Sequence, residues 1–122
     1  MNLLTKSKYI AGLKCSRHLW TLLHDKDKLP EPSVDVQFRM DQGTKVGELA
    51  TELFPGGIDL SKEDFKSNLK KSKELLKEKK PLFEAGFIFK DCFSRADILL
   101  PVGDEWDIIE VKSGTGVKED NI

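Results

Sequence analysis

Apolar residues recur with a helical period in the middle of the chain. Five of them occupy the i, i+3, i+4, i+7 and i+8 positions of one buried stripe: Val46, Leu49, Ala50, Leu53 and Phe54. We therefore predict a helix over residues 36–54, which the following Pro-Gly-Gly run ends. Candidate helix caps at Thr5, Ser7 and Ser16 predict two short helices around Gly12 before residue 25, followed by a charged, proline-containing loop over 25–33.

A lysine-rich helix is predicted over residues 61–80. Ser61 and Asp64 have capping spacing, and Pro81 ends the segment. Its thin apolar stripe consists of Phe65, Leu69, Leu75 and Leu76. Its surface carries eight lysines against four acidic residues. These lysines could contact a phosphate backbone, or they could form an ordinary solvated helix face.

Three strand-like runs follow, over residues 82–90, 93–100 and 106–112. Their short connections predict antiparallel neighbours, because parallel strands need a crossover. The predicted fold class is therefore α+β, with N-terminal helices followed by a three-stranded antiparallel sheet. We predict a single domain over 1–122, with a helical segment over 1–35 and the sheet-containing part over 36–122.

Composition narrows the classes of protein. The chain has 122 residues, 39% of them hydrophobic, and a net charge of −1, so neither disorder nor a strongly basic nucleic-acid binder is indicated. No apolar run approaches the length of a membrane span. Cys15 and Cys92 are too few for a disulfide scaffold, and we expect both to be buried as small apolar residues. The predicted location is the cytoplasm, without membrane contact.

Acidic residues fall among apolar neighbours on all three predicted strands. Alternation places Glu110 and Lys112 on the face of Trp106, Asp97 on the face of Leu99, and Glu84 on a largely apolar face as well. A buried, unpaired carboxylate costs several kcal/mol. A divalent cation such as Mg²⁺ removes this cost, and Lys112, roughly 7 Å along the strand from Glu110, could then face a phosphate oxygen or an attacking water.

Two ordinary interpretations stay open for the same residues. An exposed edge strand often carries a Glu-x-Lys pair that opposes aggregation. Asp97 could equally be the partner of Arg95 or Lys112.

The spacing of Asp97 from Glu110-Val111-Lys112 resembles the signature of PD-(D/E)XK nucleases. The segments 83–87, 95–99 and 109–113 are similar to the RecB-like branch, which includes CRISPR-associated nucleases of RecB type. Residues 6–17 and 43–50 resemble an uncharacterised bacterial family of this kind. The resemblance covers nearly the whole chain.

The resemblance implies a restriction-endonuclease-like αβββαβ core that hydrolyses DNA phosphodiester bonds with Mg²⁺ or Mn²⁺. It implies metal ligation by Asp97 and Glu110, orientation of the attacking water by Lys112, and an accessory acid at Glu84. Related nucleases often carry a histidine in the preceding helix. This chain lacks it, and Glu48 either replaces it as a metal ligand or is simply exposed.

The resemblance also implies a further helix and strand after residue 113, so we expect a core incomplete at residue 122. Some relatives bind an iron–sulfur cluster through one early and three late cysteines. Cys15 matches the early one, but one copy of this chain lacks the late three. Expected partners are DNA, a helicase or nuclease partner, and a second copy joined at a sheet edge. The alternative function is a noncatalytic nucleic-acid-binding or assembly module.

Overall fold

The computed structural model describes residues 2–114 and residue 116, in which four α-helices and four β-strands form an α+β arrangement. The helices are α1 (Lys6–Lys14), α2 (Ser16–His24), α3 (Val34–Thr51) and α4 (Phe65–Leu75). The strands are β1 (Ile58–Asp59), β2 (Leu82–Phe89), β3 (Cys92–Val102) and β4 (Glu105–Ile109). The predicted α+β class is confirmed. The expectation that a closing helix and strand are missing concerns residues outside the described part of the chain.

The sheet has four strands in the order β1-β2-β3-β4, not the three predicted. Strands β2, β3 and β4 are antiparallel neighbours, in a register that pairs Ile98 with both Phe83 and Ile109. The added strand β1 pairs in parallel with β2 through Ile58 and Leu82, so the sheet is mixed. Two residues are too few to show strand alternation, which is why the sequence pattern missed β1.

Helix α4 supplies the crossover that the parallel β1–β2 pair requires. Asp64 Oδ1 accepts a hydrogen bond of 3.0 Å from Ser67 N, and this cap starts the helix later than the predicted residue 61. The helix ends at Leu75 and continues only as a 3₁₀ turn over Leu76–Glu78. The predicted helix over 61–80 was therefore too long at both ends.

The core lies between α4 and the sheet. Its buried apolar members are Leu60, Leu82, Ala85 and Leu99, against which Leu75, Leu76 and Trp106 also pack. Leu82 and Leu99 form a cross-strand pair, so both strands contribute to the same cluster. Burial of these side chains positions β2 and β3, the two strands that carry Glu84 and Asp97.

The two predicted short N-terminal helices are present as α1 and α2, but the position of their break and the burial predicted for the next helix were wrong. The break between α1 and α2 falls at Cys15, and Gly12 instead allows close helix contact, since a Cβ there would lie 2.7 Å from Leu19 Cδ2. The predicted helix over 36–54 is α3, which ends at Thr51, and the predicted stripe is not buried, because Leu49 within α3 and Leu53 beyond its end are 62% and 75% exposed.

Both cysteines are exposed and free of a disulfide, which corrects the expectation that they are buried. Among residues 2–114 and 116, none of the helices has the length and apolar character of a membrane-spanning segment.

Candidate functional site

An open cleft of about 900 Å³ lies between α3 and the part of the sheet that carries Glu84 and Asp97. Five carboxylates and two ammonium groups line it: Glu48, Asp59, Glu84, Asp97, Glu110, Lys62 and Lys112. All five residues that the sequence singled out for a site are in this set. They come from α3, β2, β3 and the segment after β4, and the fold brings them to one concave surface.

Asp97 lies on β3 immediately before Ile98, which pairs with Ile109 of β4. Continuing this register by one residue places Asp97 opposite Glu110. Strand β4 nevertheless ends at Ile109, so Glu110 and Lys112 lie just beyond it, which corrects the predicted strand over 106–112. Asp97 Oδ2 accepts a hydrogen bond of 2.7 Å from Val111 N, and this side-chain contact directs the departing chain along the cleft.

Glu110 is neutralised by two lysines. Lys6 Nζ, at the start of α1, lies 2.7 Å from each carboxylate oxygen, and Lys112 Nζ lies 3.1 Å from Oε1. The hydrogen bond from Lys6 is the main cause that lowers the pKa of Glu110, with Lys112 acting in the same direction and partial burial opposing both. The carboxylate is therefore ionised at neutral pH.

Glu84 is the opposite case. It is half-buried, and this burial is the main cause that raises its pKa, with the neighbouring charge of Asp97 adding to the effect. The positive charge of Arg95, whose Nη1 lies 3.8 Å from Glu84 Oε2, partly opposes this rise in the pKa of Glu84. The Glu84 backbone has φ +58°, in the left-handed region that a non-glycine residue rarely adopts. A strained backbone at an acid whose pKa is shifted is typical of a functional site.

Glu48 lies on the α3 wall of the cleft and is exposed. The exposed interpretation is therefore confirmed, while the role of Glu48 as a metal ligand stays a prediction. Gly43 and Gly47 line the same wall, and a Cβ on Gly47 would meet nothing within 4 Å. Helix α3 thus lines the cleft with small residues and one acidic side chain, which leaves space for a ligand.

Three residues near the cleft were missed from the sequence. Asp59 lies on the two-residue strand β1, where no alternation could mark it. Lys6 reaches Glu110 across 104 positions, and no local pattern indicates such a contact. Asn68 is buried on α4, whereas the sequence pattern predicts burial only for the apolar residues of this helix.

The donor chemistry fits a hard divalent cation. Within the described residues, no group of three or more His, Cys, Asp or Glu side chains is arranged to hold a metal ion. Mg²⁺, however, is commonly bound through one or two carboxylates and several waters. Asp97 and Glu110, adjacent in the extended register, supply such a pair.

Comparisons of the chain with protein-family models, with curated proteins and with solved structures find no match.

Proposed function

We propose that this chain is a metal-dependent nuclease domain of the RecB-like PD-(D/E)XK type that hydrolyses DNA phosphodiester bonds. The observation that carries the proposal is the meeting of Glu84, Asp97, Glu110 and Lys112 in one open cleft, with Glu48 on the facing wall. The order of residues alone predicts these side chains as a site, without any information on their distances. Their convergence in space therefore supports a shared chemical role.

A divalent cation, Mg²⁺ or Mn²⁺, would be held by Asp97 and Glu110, with Glu48 within the same cleft as a further oxygen donor. When bound, such an ion activates a water for attack and offsets charge that develops on the phosphate. Asp97 is prepared for ligation because its Oδ2 is held by Val111 N. Among the described residues, its other oxygen accepts no hydrogen bond.

Lys112 and Glu84 have distinct tasks under this proposal. The ammonium of Lys112, 3.1 Å from Glu110, would orient the attacking water or contact a phosphate oxygen. Glu84 is an accessory acid whose raised pKa makes it easier to protonate than an ordinary glutamate.

The charges that line the cleft favour binding of a cation first, and of a nucleic acid only after the cation is bound. Five carboxylates outnumber two lysines along its surface, so a phosphate group approaching alone would meet repulsion. A divalent ion reverses this local field and makes room for an anionic substrate. Binding of DNA at the cleft should therefore depend on metal.

The direct test is cleavage of single-stranded and double-stranded DNA with Mg²⁺ or Mn²⁺. We expect the wild type to cut, and Asp97→Ala and Lys112→Ala to lose at least about a hundredfold in rate. Lys26→Ala is the control, because Lys26 is not among the residues that line the cleft. Normal cutting by the Asp97 and Lys112 variants, or no cutting by a wild type shown to be folded, would reject the mechanism.

A second candidate is a noncatalytic nucleic-acid-binding or assembly module. Two observations favour it: Glu110 is already neutralised by Lys6, and α4 presents exposed lysines such as Lys66 and Lys70. A module of this kind binds DNA without metal, in a strongly salt-dependent way. For such a module, Asp97→Asn would leave the DNA affinity unchanged and Lys70→Ala would weaken it. For the nuclease proposal, Asp97→Asn would weaken metal-dependent DNA binding and Lys70→Ala would leave it unchanged.

Assembly with a helicase or nuclease partner, or with a second copy through a sheet edge, also stays a proposal. Strand β4 is the outermost strand beside β3, and Ile108 on it is 74% exposed. An exposed apolar edge strand can pair with another chain. The mass in solution, compared between wild type and Ile108→Lys, tests the second copy, since a dimer held by this edge would dissociate.

A further inference from the structure

Strand β2 is irregular at the accessory acid. The pairing of β2 with β3 passes from Phe83 and Ile98 to Ala85 and Ala96, and Glu84 between them has a left-handed backbone with φ +58°. A left-handed residue inside a strand turns the adjacent peptide groups away from their usual partners. The backbone groups around Glu84 must therefore be satisfied by something other than the sheet.

Two buried polar side chains of α4 satisfy them. Asn68 is 2% exposed and Ser72 is 0% exposed, and they lie one helical turn apart. Asn68 Nδ2 donates to Glu84 O at 2.9 Å, and Gly86 N donates to Asn68 Oδ1 at 2.8 Å. Gly86 N also lies 3.0 Å from Ser72 Oγ. The peptide groups that flank the left-handed turn are thus held by one helix face.

The amide of Asn68 is used in full. Its Nδ2 also donates to Leu60 O at 3.0 Å, and its Oδ1 accepts from Ser72 Oγ at 3.3 Å. Leu60 directly follows Asp59, another acid of the cleft. Two donors and one acceptor therefore tie together the two chain segments that carry Asp59 and Glu84.

Close packing makes this arrangement specific. A Cβ on Gly86 would lie 2.6 Å from Asn68 Oδ1 and 3.0 Å from the Phe93 ring. Glycine at this position therefore lets the amide approach the strand. An extended, unstrained β2 would need neither the glycine nor a buried amide, and an apolar residue at position 68 would fill the core without a polar network that must be fully satisfied.

We propose that Asn68 is a positioning residue of the cleft, which holds the left-handed backbone of Glu84 and so fixes where its carboxylate stands beside Asp97. The inference rests on the proposed function, because the position of Glu84 matters only if the cleft binds a cation. Asn68 touches neither cation nor substrate and acts through Glu84. Its removal should weaken cation binding more than its effect on folding explains.

The experiment measures two quantities in two variants, Asn68→Ala and Ser72→Ala. Ser72→Ala is milder because it keeps the Asn68 amide, and it replaces Asn68→Ala if that variant does not fold. Hydrogen exchange at the Gly86 amide reports the positioning itself. Mn²⁺ affinity, measured by calorimetry, reports its consequence. Leu75→Ala is the matched control, since Leu75 lies on the same helix and packs against the core without touching the network.

We expect faster exchange at Gly86 in both variants and about a tenfold loss of Mn²⁺ affinity in Asn68→Ala, but no loss in Leu75→Ala. In a Glu84→Gln background, Asn68→Ala should cause no further loss, because its effect passes through that carboxylate. Unchanged Mn²⁺ affinity in folded Asn68→Ala would overturn the inference. If the wild type binds no Mn²⁺, the proposed function is wrong. If the Gly86 amide stays protected from exchange in Asn68→Ala, the positioning role of Asn68 is wrong, whatever the Mn²⁺ affinity.

Discussion

Lys6 Nζ lies 2.7 Å from both carboxylate oxygens of Glu110, although 104 positions separate the two residues in the sequence. The contact joins the start of α1 to the segment that leaves β4. An ammonium group thus stands where a divalent cation would meet Glu110. Cation binding at this carboxylate must compete with Lys6, and this competition can be measured.

Removal of Lys6 should raise the pKa of Glu110 toward its ordinary value. The folded-state pKa is lowered by the Lys6 hydrogen bond, so the pair stabilises the fold above the unfolded pKa and this contribution is lost as pH falls through the folded pKa. We expect the stability difference between wild type and Lys6→Ala to be present near neutral pH and to vanish in acid. Carbon-detected NMR titration and urea unfolding measure both effects, with Lys8→Ala as the control.

Lys6→Ala should also bind Mn²⁺ more tightly than the wild type does. The ammonium no longer competes for Glu110, and an exposed ion pair of this kind is worth up to about 1 kcal/mol, or about a fivefold change in affinity. Calorimetric titration measures it. Weaker binding in Lys6→Ala would mean that Lys6 supports the cation site instead of competing for it.

Replacement of Glu84 by glycine should stabilise the fold. Glycine adopts φ +58° without strain, and relief of a left-handed non-glycine backbone is worth about 1 kcal/mol. Because the pKa of Glu84 is raised, removing its charge also relieves a cost that is present above the folded pKa, near neutral pH.

Glu84→Gln separates these two contributions to stability, since it removes the charge and keeps the strain. Denaturant unfolding of both variants near neutral pH should place Glu84→Gly above Glu84→Gln in free energy of unfolding. A less stable Glu84→Gly would show that the left-handed backbone costs nothing here.

Asp97→Ala should lower the free energy of unfolding by about 1–2 kcal/mol, because Val111 N loses a charge-assisted hydrogen bond. Asp97→Asn keeps an acceptor oxygen of the same shape and should cost less than half as much. Denaturant unfolding gives the stabilities, and hydrogen exchange at the Val111 amide locates the change. Equal costs for the two variants would point to the charge instead of the hydrogen bond.

Leu82→Ala tests the core that positions the cleft. Leu82 is 0% exposed and pairs with Leu99 across the sheet, so we expect a loss of about 2–5 kcal/mol in unfolding free energy. Ile108→Ala is the matched control, because its side chain is 74% exposed and should cost less than about 0.5 kcal/mol. Similar losses of unfolding free energy in both variants would mean that Leu82 does not belong to the core.

Prediction from the sequence succeeded where the signal is local and regular. The three longer strands show strand-like runs with short connections, and their existence and antiparallel pairing follow from those features. Their ends were less predictable: β4 stops at Ile109 because Val111 N turns to the Asp97 side chain, a contact invisible in the order of residues.

The helices show the same limit. The apolar period of α3 correctly indicated a helix but not which residues are buried, since Leu49 and Leu53 face solvent. On α4 the fully buried positions are polar, Asn68 and Ser72, because their partners are backbone groups of an irregular strand. Periodicity reports helical geometry, while burial depends on what another element places opposite.

The amino-acid sequence by itself determined the α+β class, the order of the main elements and four of the five acids of the cleft, because periodicity and local motifs are properties of neighbouring residues. Only the tertiary structure decided that Lys6 neutralises Glu110 and that Asn68 holds Glu84 in a left-handed backbone. Both contacts join distant segments across packed elements, and their distances depend on how the core closes around Leu82 and Leu99.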